Sequence, residues 1–448
     1  IQYKKENYQT GNIFPSEDKF PIKKGDVIGF TGDTGGSGGP HLHFEIRDTA
    51  TEHIINPMHF GIFPEDTSAP VLQKAKVYAL DDNSRINKIS KDLVLNLKNV
   101  GKNKYITNRI SANGYIGFGV NAFDRLNGAT NRNGIYSLEM NVNGERYYYH
   151  DVETCSFAES KYINLLIDYH HYKKYKSRIQ KTHKVEANKL SIYDDLLENG
   201  KVYIEDGVNY NIEIIAKDFK GNSSTLKIPV KGVANNTQFL AKDTTAFKII
   251  AKKFNKFKQE NVTIAFPKNT FYKNEYLNFK VENGIAKVHN TTIPIDKKYT
   301  LTFDVTAYSE AEKKQLYIAN ITNKKYPRYV STKKKEMKFY CTTKTLGNYT
   351  LLTDKQNPKI LLSNFKNEQW LSKSNTLKVK ISDIGSGIKN YRATIDGEWI
   401  LMEYNHKRGI LTYNFNDKKL VGSKHLFKLV VSDNVGNTKS IAATFFRK

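Results

Sequence analysis

Residues 209–222, NYNIEIIAKDFKGN, and residues 424–437, KHLFKLVVSDNVGN, carry one pattern twice. Apolar side chains fall on every second position, Ile212, Ile214 and Ala216 in the first run and Phe427, Leu429 and Val431 in the second. A period of two places these residues on one face of a strand, with Glu213 and Lys428 on the other. Each run ends in D-x-x-G-N, where Asp218 or Asp433 can close an Asx-type turn onto nearby backbone N–H groups. One carboxylate per loop is too few for calcium, which takes six to eight oxygens, so both residues are read as turn formers.

Working outward, the two runs prove to be the ends of a longer diverged repeat. Asp124, Gly134-Ile135 and Val142-Asn143-Gly144 precede the first, and Asp383, Gly387-Ile388 and Ile395-Asp396-Gly397 precede the second. Asn-Gly and Asp-Gly accept the positive φ angles of two-residue hairpin turns. From Gly144 to Asp218 is 74 residues, against 36 from Gly397 to Asp433, so the first copy holds an insertion around 151–190. Its Lys-, Tyr- and His-rich part, 161–189, is expected to project from the sandwich as long connections do. The best helical candidate is 158–172, with a loop as the alternative reading. His150, His170, His171 and His183 are read as a solvated surface group.

The two copies resemble Ig-like sandwich domains. Between them, 235–356 has strands of its own, TIAFPKNTFY and YTLTFDVTAY among them, and ends in Thr345-Leu346-Gly347-Asn348-Tyr349. It resembles ZU5-like β-sandwich modules. Other short β-branched or aromatic runs, 226–230, 299–305, 376–381 and 426–431, are bounded by turn residues. The fold class expected is therefore all-β: a unit at 1–63, an Ig-like sandwich at 64–234, a ZU5-like sandwich at 235–356 and an Ig-like sandwich at 357–448. Proline-flanked 64–70 and the segment near 354–358 are the connectors.

The chain has 448 residues and a formal net charge of +25, too long for one core and strongly basic. The excess lies wholly in the β domains, because residues 1–63 hold six basic and eight acidic residues. Residues 161–189 and 324–338 each carry a net +6, yet neither has a recognition helix or an RNA-binding motif, so no nucleic acid is expected as partner. An anionic envelope polymer suits dispersed lysines better. No apolar run reaches the roughly 18 residues of a membrane-spanning helix, so no transmembrane segment is expected. Cys155 and Cys341 are the only cysteines and are read as free thiols. Trp370 and Trp399 are read as packing or edge residues, not sugar platforms.

Chemistry concentrates at 25–48, GDVIGFTGDTGGSGGPHLHFEIRD. On a strand, His41, His43, Glu45 and Arg47 would share one side while Leu42, Phe44 and Ile46 face a core. Two imidazoles about 7 Å apart could then divide the work, one holding a metal and the other acting on metal-bound water or an oxyanion. Gly35, Gly36, Ser37, Gly38 and Gly39 would form a loop that a substrate backbone can approach closely. By spacing alone, a pair of half-exposed strand histidines is an equal reading.

This run, followed by Ile55-Asn56-Pro57, resembles the C-terminal half of the catalytic domain of the M23 (LytM/lysostaphin-type) zinc endopeptidases, with their G-x-T-G-x-S-x-G-P-H-L-H-F-E signature. The resemblance implies cleavage of peptidoglycan peptide by water activated on Zn²⁺, and an extracytoplasmic location. It makes His43 a zinc ligand and His41 the second-sphere catalytic histidine. The family's remaining residues, an H-x-x-x-D pair and a Y-A-H-L histidine, have no match, since residues 1–24 contain no histidine. Catalytic zinc ordinarily has three protein ligands and an open position. Either the chain is part of a longer peptidase, or it is a degenerate, non-catalytic relative that binds wall peptide or activates another hydrolase.

Overall fold

The computed structural model describes residues 11–32, 36, 38–234 and 244–448. Three apolar cores form along it, drawn from residues between Leu72 and Val230, between Ile249 and Tyr349, and between Phe365 and Phe445. Each is enclosed by β-sheets, and the architecture is all-β with multiple separate sheets. The repeated pattern folds as its period requires. Strand Asn209–Lys217 pairs antiparallel with Ser223–Gly232, Ile212 opposite Ile228 and Ile214 opposite Leu226, and all four are buried. In the third core, Lys424–Asp433 alternates exposed and buried along most of its length and buries Phe427, Leu429 and Val431. The middle core lies between two five-stranded sheets.

The first sandwich is closed by one long strand that serves two sheets. Ile110–Phe123 runs parallel to Ser223–Gly232 over residues 110–112, then antiparallel to Val71–Ala79 over residues 116–123. Between these stretches stands Gly114, with φ +75°, where an L side chain would be strained. Corners of orthogonally packed sheets are made in this way. The hairpins use the turns that the sequence calls for: Asn143-Gly144 and Asp396-Gly397 both have two successive positive φ angles.

The insertion does not project. It folds back over the first sandwich, with Leu165, Leu166, Ile167, Ile179 and Leu190 buried. Gln180–Lys181 adds to the long strand opposite Val120 and Gly119. Helix Tyr169–Tyr175 is capped by Asp168, which accepts from the His171 backbone N–H at 2.9 Å. The same carboxylate takes the Lys76 ammonium at 2.6 Å and the Tyr78 hydroxyl at 3.2 Å, so one buried acid ties the insertion to the sheet. The polar count of the segment hid this, since only a few of its residues, Leu165, Leu166, Ile167, Ile179 and Leu190, supply the inward apolar contact.

The histidines follow. His150, His171 and His183 are buried rather than solvated. The Tyr148 hydroxyl, kept protonated by burial, is hydrogen-bonded to His150 Nδ1 at 2.9 Å. Burial drives His150 down to about 4 and His183 down to about 3. His183 fits only because Gly117 lacks a side chain, as a Cβ there would sit 2.4 Å from Nδ1.

Two outcomes follow from this packing. Both histidines are neutral when folded, so their contribution is present above pH 6.5 and is lost as pH falls toward 4, at up to about 1.4 kcal/mol per pH unit for each. Denaturant unfolding of the first sandwich at pH 7 and pH 5 measures the loss, and His183→Gln should remove part of the slope. Gly117→Ala should destabilise by about 1–3 kcal/mol through overpacking, and by less in a His183→Ala background.

Candidate functional site

Residues 11–63 add no core of their own, and none of their described residues is fully buried. Among the described residues of this segment regular strand is limited to Ile46–Arg47 and Ile54–Ile55, which pair with each other, and the second pairs in turn with Thr154–Cys155 from the insertion. His41 makes a single bridge to Gly32. The expectation of one strand through 41–47 with a buried face is therefore corrected: Leu42 is 79% exposed and Phe44 is 59% exposed. A strand needs a neighbour for its backbone groups and a second layer for its apolar face, and the described residues supply neither to 42–45.

The polar side of the reading fares differently. His43 Nε2 contacts Glu45 Oε1 at 2.7 Å, and Glu45 Oε2 accepts from Arg47 Nε at 2.8 Å and Nη2 at 2.5 Å. These alternate residues share one side of the chain. Hydrogen bonds from His43 and then Arg47 hold the Glu45 carboxyl below its ordinary value. His41 Nδ1 lies 2.9 Å from the Gly39 carbonyl. A carbonyl can only accept, so Nδ1 carries the proton and Nε2 is the nitrogen left to act. Both rings are exposed.

Gly36, Gly38 and Gly39 have open space where a Cβ would stand, so no packing within the protein demands glycine there. Gly35 and Ser37 lie outside the described residues. Zinc does not fit the residues present. Among the described residues no group of three candidate ligand atoms includes His41 or His43. His59 packs edge-on against Phe219 at 4.9 Å between ring centroids. That contact belongs to an aromatic cluster with Phe63 and Tyr136 that docks residues 57–63 on the first sandwich. His150, His171 and His183 are buried in the sandwich and its insertion.

A cavity of about 680 Å³ lies between the insertion and the first sandwich, lined by Phe123, Arg132, His150, Cys155, Arg178 and others, but not by His41 or His43. Cys155 and Cys341 are free thiols. Trp370 and Trp399 sit on edge strands, both exposed, and Trp370 rests on Phe446. The functional candidates that the sequence reading passed over are acidic. Asp66 and Asp124 join Asp218, and Asp354 and Asp383 join Asp433, in two close groups. Their signal was an Asp four residues before a proline in each connector, Asp66 before Pro70 and Asp354 before Pro358.

Residues 247–354 match the family described as Zu5-like domain, so the middle sandwich is similar to that family. Comparison with curated proteins finds no match. Among solved structures, the chain is similar to fibronectin(III)-like modules of Clostridium thermocellum CbhA, at 9% identity, covering 79% of this chain and 94% of that one, with a TM-score of 0.17. A Bacteroides ovatus mixed-linkage glucan utilisation protein, SGBP-B, matches at 9% identity over 70% of this chain and 61% of that one, TM-score 0.14. The endo-β-1,4-mannanase of Thermotoga petrophila matches at 10% identity over 21% of this chain and only 20% of its own length, TM-score 0.19.

Proposed function

We propose that residues 1–63 are the C-terminal half of an M23-type zinc endopeptidase domain that acts on peptidoglycan peptide outside the cytoplasm, with the β-sandwiches behind it as its carrier. The observation that carries this reading is the run 25–48, with both histidines of H-L-H on exposed positions and His43 held by Glu45. Exposure of Val27, Ile28, Phe30, Leu42 and Phe44 supports it too. So much apolar surface in one segment calls for a covering layer, and the described residues provide none.

In this reading His43 contributes one zinc ligand, His41 offers Nε2 as a proton carrier, and the loop 35–39 receives substrate backbone. A single imidazole does not make a catalytic zinc site, so no hydrolytic step is assigned to residues 1–448 alone. The shortage of ligands favours a second reading, a non-catalytic module that binds wall peptide or activates another hydrolase.

The protein as encoded, with whatever precedes Ile1, separates the two. The peptidase reading expects one zinc per chain, lost in His43→Ala. It also expects zinc to be retained in His41→Ala, while release of peptidoglycan fragments falls by about 100-fold or more. Equal zinc content in the wild type and His43→Ala removes His43 from the site. No zinc and no cleavage in the wild type selects the module.

The lysines bear on the partner. Lys333–Lys335 forms an exposed edge strand within the basic stretch 324–338, although the Lys334 ammonium donates to the Lys313 and Lys314 carbonyls. Binding of the chain to purified sacculi or anionic vesicles should weaken about tenfold or more between low salt and 0.5 M salt. Binding that ignores salt excludes the electrostatic contact.

A further inference from the structure

Aspartates far apart in sequence meet where the connectors enter the first and third sandwiches. Asp66, Asp124 and Asp218 bring carboxylate oxygens within 4.8 Å of one another, and so do Asp354, Asp383 and Asp433. The two groups correspond residue by residue. The first member belongs to the connector, the second follows the strand Ile110–Phe123 or Thr376–Ser382, and the third opens D-x-x-G-N. The closing Asn makes the same two bonds in each. Asn222 Nδ2 donates to Asp218 Oδ2 at 2.7 Å and to the Asp66 carbonyl at 3.1 Å. Asn437 Nδ2 donates to Asp433 Oδ2 at 2.7 Å and to the Asp354 carbonyl at 3.1 Å.

Several of the carboxylate oxygens have backbone donors. Asp354 takes Gln356 N and Ser386 N, Asp383 Oδ2 takes Gly385 N and Gly387 N, and Asp433 Oδ1 takes Val435 N, Gly436 N and Asn437 N. In the first group Asp66 Oδ1 takes Ser68 N and Asp218 Oδ1 takes Asn222 N. At the same place in each group one oxygen is left over. Asp124 Oδ1 and Asp383 Oδ1 are buried with no hydrogen-bond partner, and Asp124 as a whole is only 4% exposed.

Three carboxylates at this separation repel, and burial removes the water that would screen them. No ion pair among the described residues includes any of the six. A cation placed among the three acids of each group would answer the orphan oxygen and the mutual repulsion together. The donors are all oxygens, with no imidazole or thiolate, which selects a hard cation. Calcium tolerates irregular sets of carboxylate, carbonyl and water oxygens, whereas magnesium demands a near-ideal octahedron. A cavity of about 250 Å³ touching all three acids of the first group leaves room for water ligands.

We infer that each aspartate trio is a calcium site, two per chain, in which the ion bridges a connector to the end of the sandwich it enters. Because Asp66 and Asp354 lie in connectors, bound calcium stiffens the junctions at 64–70 and 354–358, and chelation loosens them.

The test is a calcium titration of the chelator-treated chain by calorimetry, beside thermal melting with and without about 5 mM calcium, a level that fills sites of extracellular-module affinity. The expected stoichiometry is two ions in the wild type, one in Asp124→Asn or Asp383→Asn, and none in the double variant. Without calcium these variants should melt no lower than the wild type, because each removes a repelling charge, which separates loss of binding from misfolding. Tryptic cleavage at Lys355 should slow at least tenfold with calcium in the wild type and in Asp124→Asn, but not in Asp383→Asn or the double variant. Absence of heat and of any melting shift in the wild type overturns the inference. So does calcium binding unchanged in the double variant, or zinc binding more tightly than calcium at these residues. None of these readouts depends on His41 or His43.

Discussion

The constraint on which the rest depends is that every sandwich must fix the chain that leads into it. In the first and third sandwiches one side-chain amide does this. Asn222 and Asn437 each complete a turn of their own and reach across to a connector carbonyl. With the bonds from Ser224 to Pro70 and from Asn437 to Gln356, that contact holds the connector where the first strand starts, with the connector aspartate beside two others. A turn motif that looks local is thus also a long-range clamp, spanning 156 residues in one copy and 83 in the other.

Much of the fold was legible because burial on one face of a strand writes a period of two into the sequence. Ile212, Ile214 and Ala216, and their counterparts Phe427, Leu429 and Val431, are buried as the pattern requires. The insertion was not legible for the converse reason. Its inward residues are few and follow neither period for long, while Lys, Tyr and His dominate the count. Asp168 adds a tie through Lys76 and Tyr78, and no local pattern marks a residue whose partners lie 92 and 90 positions away.

At the candidate site the sequence disclosed identity better than environment. The alternation of His43, Glu45 and Arg47 on one side of the chain is met, yet the apolar alternation that accompanies it is not, since Leu42 and Phe44 face solvent. Side-chain periodicity states which residues share a face but is silent on whether anything covers that face. The acidic trios show the opposite case. Each D-x-x-G-N supplies one carboxylate, and counting within the loop dismissed a cation. The other two carboxylates arrive from the connector and from a strand end, which only the sheet topology brings together.

The buried titratable groups set two opposed demands on the first sandwich. Asp124, raised to about 6 when folded, favours the fold fully below its unfolded value of 3.8 and withdraws that support as pH rises through 6. His150 and His183 favour it above 6.5 and withdraw support as pH falls. Near pH 5 the unfolded chain holds a proton on each of these histidines while the folded chain holds one on Asp124, so the two kinds of group pull the stability in opposite directions over the same range. At neutral pH both histidines are uncharged in either state, while three acids still crowd the junction around an oxygen that no group among the described residues satisfies.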